Sequence, residues 1–275
     1  MAGPDPDQNA EFWRRFRRFG GTDPIMKELL GDDKLMEWWI TSLNERRNSN
    51  PFEISVKESL DRLRAAYNDT FCPLGAKEPT SSELTHLERM APNWPKGKDA
   101  FRSFQVRPAA FGEGRDGVIK TFEATCASVK HIHDPKFWRW ELLLSGAHPY
   151  RGEDVERLRL LGGNDRHKPG ICWVTFDLSE GRQRTDITSV RSSRSLSDAG
   201  IFAARMFPDR AKAIDYKEKP AWFCAGYELN VPESDDEPWQ GVPCVRRSLR
   251  DGTVRLDASW CSGANSNYSV PSVGE

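Results

Sequence analysis

Three potential metal ligands occur within four residues near the middle of the chain. His131, His133 and Asp134 stand together as His-Ile-His-Asp, and on a strand the two histidines would share one face. A catalytic metal site needs about three protein ligands, and imidazole with carboxylate is a common set. The same residues also fit a loop before a helix, in which Asp134 caps the helix and Pro135 opens its first turn. A metal-assisted hydrolase is therefore one hypothesis, and a structural turn is its alternative.

A polar loop that begins with two glycines could hold an anion. It runs from Gly162 to Lys168 and includes Arg166, so backbone N–H groups and basic side chains could surround a phosphate. The spacing G-x-x-x-x-G-K-[ST] is absent, and a strand predicted from Ile171 follows where a phosphate loop needs a helix. We therefore interpret this loop as a structural connector.

Arginines alternate with aromatic residues at the beginning of the chain. Such a helix could bind phosphate groups and stack bases, or it could pack its aromatic side on a neighbouring helix while the arginines reach solvent. A nucleic-acid-associated protein is therefore a further hypothesis. The 40 basic and 41 acidic residues give a net charge of −1, which argues against a sequence-independent nucleic-acid binder. The residues are Phe12, Trp13, Arg14, Arg15, Phe16, Arg17, Arg18 and Phe19.

The elements that would position these residues fall into two regions. Helical spacing of apolar residues predicts helices at residues 12–19, 23–31, 32–47, 55–67 and 80–90. The proline and lysine stretch from Pro92 to Lys98 predicts a linker. We therefore divide the chain into a helical region, residues 1–97, and a second domain, residues 98–275.

The second domain is predicted to mix strands with a few helices. Because the elements show no regular βαβ alternation, we predict an α+β fold. Asp251 and Gly252 predict the turn between its last two long strands. Alternation predicts strands at residues 118–125, 171–178, 221–231, 241–247 and 253–261, and helical spacing predicts helices at 135–144, 154–161 and 198–207.

Composition predicts a soluble protein of a reducing compartment. No run of about 18 apolar residues could span a membrane, and the polar residues 1–8 do not form a signal peptide. The six cysteines are scattered, and Cys172 and Cys224 lie inside apolar runs, which predicts buried thiols instead of a disulfide or zinc framework. We therefore expect a cytoplasmic location.

The last two dozen residues combine apolar anchors with a polar stretch. Val254, Leu256, Trp260, Tyr268 and Val270 are residue types of protein cores, so we expect this segment to be built into the fold. Residues 262–268 are rich in serine and asparagine, which provide adaptable hydrogen bonds in recognition surfaces. The alternative is a polar turn region that only closes the sheet.

Segments of the second domain resemble known proteins. Residues 160–178, 225–228 and 260–271 resemble an uncharacterised group of bacterial proteins. The terminal pattern is a strand with a tryptophan, a short asparagine and serine surface, an aromatic residue and Val-Pro. It is similar to the C-type-lectin-like, formylglycine-generating-enzyme-type targets of diversity-generating retroelements.

This resemblance implies that variable residues near the C-terminus bind a ligand on a rigid scaffold. The expected partner is a protein or a small ligand, and we expect no cofactor and no bound metal. We therefore predict a non-enzymatic recognition protein, with the hydrolase and the nucleic-acid-associated protein as alternatives. Carried over to this sequence, the ligand-binding residues are Asp257, Ser259, Cys261, Ser262, Ala264, Asn265, Asn267 and Tyr268.

Overall fold

The computed structural model of the chain describes residues 13–18, 20–143, 156–180, 186–231, 239–262 and 266–274. Contacts between residues divide the chain into two units, Met1–Ser49 and Asn50–Glu275. Helices, an antiparallel pair of strands and a larger sheet with parallel and antiparallel pairs make up the described part. The fold is therefore α+β, as the sequence predicts.

Three helices make up most of the described part of the first unit. Gly20 follows the first helix with a φ of 84°, a conformation that glycine adopts at little cost. Asp32 caps the third helix, because its Oδ1 accepts hydrogen bonds from the backbone N–H groups of Lys34 and Leu35. The described parts of the three predicted helices are thus confirmed, while Phe12 and Phe19 lie outside the described residues. The helices are α1 (residues 13–18), α2 (Asp23–Gly31) and α3 (Asp33–Asn48).

Five further α-helices lie in the described residues of the second unit. Ser55 and Thr80 cap the first two of them through their side chains, and a π-helical turn, Tyr67–Phe71, follows the first. The helices are α4 (Val56–Ala66), α5 (Ser81–Arg89), α6 (Gly114–His133), α7 (Asp198–Met206) and α8 (Pro208–Lys212).

Two sheets complete the second unit. β1 and β4 form an antiparallel pair, and the larger sheet has the order β2-β8-β7-β5-β9, with β6 paired to β7 and β3 paired to β6. The pairs β2–β8 and β5–β9 are parallel. The strands are β1 (Ala100–Arg107), β2 (Phe137–Arg139), β3 (Leu158–Leu160), β4 (Gly170–Asp177), β5 (Ala221–Phe223), β6 (Tyr227–Leu229), β7 (Gly241–Arg247), β8 (Val254–Trp260) and β9 (Tyr268–Ser269).

The main core joins the helices of the second unit to both sheets. Phe101, Phe202 and Trp222 are fully buried in it. A buried ion pair lies at its edge, where Arg210 donates to both carboxylate oxygens of Asp99 at 2.6 Å. A smaller apolar cluster, which includes Phe223 and Cys244, is separate from the main core.

The strand predicted at residues 118–125 is wrong, because these residues belong to α6. Their β-branched residues favour a strand locally. However, the buried residues Val118, Phe122, Thr125 and Val129 recur at three and four positions, which is the period of a helix face. A window of eight residues was too short to separate the two periods.

The helices predicted at residues 135–144 and 154–161 are also wrong. Phe137–Arg139 forms β2, and Leu158–Leu160 forms β3; residues 144 and 154–155 lie outside the described residues. Both strands have only three residues, so their periodicity is too short to identify them. Their extended backbone is fixed by pairing with β8 and β6.

The division between the units differs from the linker expected at residues 92–98. Residues 50–97 carry α4 and α5, whose buried side chains Leu63 and Leu87 belong to the main core of the second unit. Two helices that pack on a sheet share its core, and helical spacing alone does not show to which core a helix belongs.

Burial at the C-terminal end follows three of the five predicted anchors, and Tyr268 is partly buried. Val254, Leu256 and Val270 are buried. Trp260 is 37% exposed, so its assignment to the core is wrong. It is the last residue of β8 and pairs with Gly241, which has no side chain to cover the ring.

The cysteines are free thiols, and most of them are buried. Cys126, Cys224, Cys244 and Cys261 are buried as expected, whereas Cys172 is exposed and contradicts the expectation. Cys172 lies in the first half of β4, whereas the buried residues of this strand, Val174 and Phe176, lie in its second half. Among the described residues, no helix is long and apolar enough to cross a membrane.

Candidate functional site

The strand β8 has one face toward the main core and one face away from it. Val254, Leu256 and Ala258 contact the main core. Because successive side chains of a strand point to opposite faces, Arg255, Asp257 and Ser259 lie on the other face, which we call the outer face of the larger sheet. Part of this outer face is covered by the smaller apolar cluster, because Val242 and Cys244, which pair with Ser259 and Asp257, are buried in it.

Aromatic and arginine side chains form a row across this outer face. Arg255 is paired with Trp138 on β2 and with Arg246 on β7, and directly paired residues project from the same face. Tyr268 on β9 is paired with Ala221 on β5, and its ring stacks on Phe223, which is paired with Cys244 on the face of β7 that carries Arg246. We call Trp138, Arg255, Arg246 and Tyr268 the outer row.

Contacts between side chains hold the outer row in place. The Arg255 guanidinium lies 5.5 Å from the centre of the Trp138 ring, a cation–π distance. Arg246 forms an ion pair with Asp257, and Asp257 also accepts a hydrogen bond of 2.9 Å from the N–H of Ala258. Asp257 therefore positions Arg246, and with a 14% exposed side chain it offers little surface of its own.

Tyr268 is anchored by stacking. Its ring lies 4.8 Å from the ring of Phe223 with an interplanar angle of 20°, and 6.1 Å from the ring of Tyr216. Burial, with a contribution from Cys244, raises the pKa of the Tyr268 hydroxyl well above its usual value. The phenol therefore stays protonated at neutral pH and can donate a hydrogen bond.

The structure gathers part of the predicted ligand-binding set on this face. Asp257, Ser259 and Tyr268 lie on it, and Ser262 and Asn267 are exposed in the turn between β8 and β9. Cys261 does not belong to the surface, because it is 2% exposed and its thiol contacts Gln240. Ala264 and Asn265 lie outside the described residues.

Sequence reasoning missed the other members of the outer row. Trp138, which is 40% exposed, was placed on a helix, and Arg246 and Arg255 were not singled out within their predicted strands. The available signal was the alternation of β7 and β8, which puts each arginine on the polar face of its strand. Nothing in the sequence around Trp138 predicts that its strand pairs with the strand of Arg255.

The predicted metal ligands do not share a face. His131 and His133 lie on α6, where residues two positions apart point in nearly opposite directions. His133 is buried with Nε2 3.0 Å from the carbonyl oxygen of Ala204, while the exposed His131 has Nε2 3.3 Å from Oδ2 of Asp69. Asp134 is the C-cap residue of α6, where its N–H donates to the carbonyl oxygen of Lys130, and not the N-cap of a following helix. Among the described residues, no group of three or more His, Cys, Asp or Glu could hold a metal ion.

The loop from Gly162 to Lys168 is bonded within the protein. Arg166 donates to the carbonyl oxygens of Leu161 and Ser193 at 2.5 and 2.7 Å. The Asn164 amide contacts Glu156 and the N–H of Leu160. These contacts fit the connector interpretation.

A second glycine motif was missed by the sequence analysis. Gly112, Gly114 and Gly117 have the spacing G-x-G-x-x-G between β1 and α6. A dinucleotide motif needs a parallel βαβ unit, whereas β1 pairs antiparallel with β4. A Cβ at Gly117 would lie 2.3 Å from the Gly112 carbonyl oxygen and 2.9 Å from Nε2 of the buried His167, so this glycine is explained by close packing.

A cleft of about 490 Å³ lies beside α5, away from the outer row. Its volume suits a small ligand, and the buried Tyr67 of the π-helical turn is part of its wall. Lys77, Glu78 and Glu83 supply charges of both signs, so the lining does not indicate one class of ligand.

The arginines of α1 give no further support to nucleic-acid binding. Trp13 and Phe16 contact each other edge to face at 5.8 Å, and Arg17 lies 3.6 Å from Asp23. These contacts are those of a helix that packs within its own unit.

Comparison of the chain with models of protein families, with curated proteins and with solved structures found no match. The resemblance of residues 260–271 to C-type-lectin-like proteins therefore stays a prediction. The outer row rests on geometry alone.

Proposed function

We propose that the protein is a non-enzymatic recognition protein that binds its partner through the outer face of the larger sheet. The observation that carries this proposal is the outer row, in which two arginines lie between a tryptophan and a tyrosine. Tryptophan, tyrosine and arginine are the residues that most often dominate the free energy of binding at protein interfaces.

The shape of the site favours a protein over a small ligand. Small molecules bind in concave pockets that enclose most of their surface, whereas the outer row lies on paired strands of a sheet. The clefts of about 490 and 640 Å³ are lined by other residues, mainly of α5 and the beginning of β4. A partner of the outer row must therefore present an extended surface.

The rigidity of the row supports the same function. The Arg246–Asp257 ion pair and the stack of Tyr268 on Phe223 fix two of its members before binding. Fixed side chains lose less conformational entropy on association, so this face is prepared for contact. The C-terminal resemblance, which implies ligand binding by the same segment, agrees with the proposal.

Alanine substitutions on the outer row test the function. Trp138→Ala and Arg255→Ala each remove a side chain that lies outside the main core, so we expect melting temperatures near that of the wild type. Both should weaken partner binding roughly tenfold or more, as expected for a residue that contributes a large part of the free energy of binding. The measurement is quantitative affinity purification from the source cells with each variant as bait, followed by titration with the purified partner.

Trp260→Ala is the matched control. Trp260 belongs to the same strand as Arg255 and has nearly the same exposure as Trp138, but its position in the alternation places it on the opposite face. This variant should retain the partner. A partner retained equally by all three variants would refute the proposal, and so would loss of binding that only accompanies unfolding.

A further inference from the structure

The turn between β7 and β8 extends the outer row with basic side chains. Residues 246–257 contain four arginines and two aspartates. Lys136, just before β2, joins them: a Cβ at Gly252 would lie 3.5 Å from Nη2 of Arg247 and 3.8 Å from Nζ of Lys136. We call Lys136, Arg246, Arg247, Arg250 and Arg255 the basic hairpin. Arg247 is paired with Val254, so it reaches this group from the core-facing side of β7.

The two aspartates neutralise only part of this charge. Asp257 pairs with Arg246, and Asp251 lies 3.5 Å from Arg255. Among the described residues, Lys136, Arg247 and Arg250 form no ion pair with a carboxylate. Five positive and two negative side chains leave this end of the sheet with a net charge of +3.

The positive charge is local. The whole chain has a net charge of −1, so the remaining residues together carry −4. A localised positive patch on a weakly acidic protein attracts an anionic group of a partner to one place and orients it there.

Apolar side chains accompany the basic hairpin. Leu249, in the turn, is 62% exposed, and Trp138 is 40% exposed. An aliphatic side chain at the turn suits contact with a protein more than contact with nucleic acid. Asp251 and Asp257 interrupt the arginines, so separate carboxylates placed between them fit this surface better than a continuous chain of phosphates.

We propose that the partner segment bound at this face is acidic, with Asp or Glu side chains next to an apolar residue. This inference rests on the proposed function, because it names the chemistry of the partner at the same surface. The carboxylates pair with Lys136 and Arg250, which have no carboxylate partner within the described chain. The apolar residue contacts Trp138 or Leu249.

Selection from a random peptide library displayed on phage, with the full chain as target, tests the inference. The enriched peptides should be rich in Asp and Glu, and their affinity should fall as NaCl is raised. Lys136→Glu together with Arg250→Glu should weaken their binding roughly tenfold or more, because it replaces attraction by repulsion.

A matched control changes the same charge elsewhere. Lys77→Glu together with Lys120→Glu alters two exposed lysines outside the basic hairpin, so the net charge changes equally while binding should stay within twofold of the wild type. Thermal unfolding of each variant shows that the fold is kept. Equal loss of binding in both double variants would overturn the inference, because it would then reflect only overall charge.

The remaining outcomes separate the inference from the function. Enriched peptides that lack acidic residues but require Trp138 overturn the inference and leave the recognition function in place. Peptides that bind equally to Trp138→Ala and Arg255→Ala overturn both. Oligo(dT) and oligo(U) test a nucleic-acid partner. If either binds with a steep salt dependence and loses binding in the Lys136→Glu, Arg250→Glu variant, the partner is a single-stranded nucleic acid and the proposal of an acidic peptide is overturned.

Discussion

Three members of the outer row are each held by a second group of the protein. The Arg255 guanidinium lies over the Trp138 ring, Arg246 forms an ion pair with Asp257, and Tyr268 stacks on Phe223. Asp257 is thus best understood as a positioning residue, although the sequence placed it in the ligand-binding set. Its carboxylate is already engaged with Arg246 and with the N–H of Ala258.

Buried His133 should make stability depend on pH. Burial lowers the pKa of His133 below its usual 6.5, against a hydrogen bond with Ala204 that raises it, and Lys212 and Arg205 lower it further. The unfolded chain therefore binds a proton at a higher pH than the folded protein does. We expect the free energy of unfolding contributed by this group to be complete above pH 6.5 and to fall as the pH falls below it, by up to about 1.4 kcal/mol per pH unit.

Denaturant unfolding between pH 7.5 and pH 5.5 checks this sign. His133→Gln keeps an N–H that can donate to the Ala204 carbonyl but cannot be protonated, so its stability should depend less on pH across this window. An unchanged pH dependence in the variant would show that His133 is not the titrating group.

Local sequence patterns could identify only half of the outer face. Tyr268, Asp257 and Ser259 lie in one segment, whose composition and resemblance point to binding. Trp138 and Arg246 join them through strand pairing, which depends on the whole sheet and leaves no mark in local spacing. The residues of the site are therefore only partly predictable from a single sequence.

The helix α5, whose first residues form a capping box, is among the well-predicted elements. Thr80 accepts a hydrogen bond from the N–H of Glu83, and Glu83 accepts one from the N–H of Thr80, which defines both residues as a capping box. By contrast, α6 begins without a side-chain cap, and β2 and β3 have three residues each. These elements form where tertiary pairing and burial outweigh local preference.

Thr80→Ala should destabilise the second unit through α5. Loss of the cap removes the acceptor for the N–H of Glu83, and we expect the free energy of unfolding to fall by about 1 kcal/mol. Thr85→Ala, at an exposed position of the same helix, removes a similar side chain without a cap and should cost nothing, because alanine is the better helix former. Chemical denaturation of both variants gives the comparison, and an equal loss in both would contradict the role of the cap.

At the scale of the whole second unit, the C-terminal segment links the two sheets. After β9 in the larger sheet, the N–H of Gly274 donates to the carbonyl of Thr175 in β4 at 2.6 Å. Three more backbone hydrogen bonds join Val270 to Glu180, Val273 to Arg194 and Leu196 to Pro271. The segment thus contacts both sheets within a few residues.

Deletion of residues 270–275 should therefore strongly destabilise the second unit. Four backbone hydrogen bonds at about 1 kcal/mol each predict a loss of about 4 kcal/mol, to which the burial of Val270 adds. Thermal unfolding of the truncated chain measures the loss, with removal of residue 275 alone as the control. A melting temperature unchanged by the longer deletion would show that the segment only lies against the sheets.

The outer row can form only when β2 and β8 have paired. Phe137 and Val254 are paired across 117 positions of the chain, and contacts between such distant residues form slowly because a long loop must close first. We therefore expect Trp138 to reach Arg255 late in folding. A chain without this strand pair has no outer row, so the proposed binding requires the folded sheet.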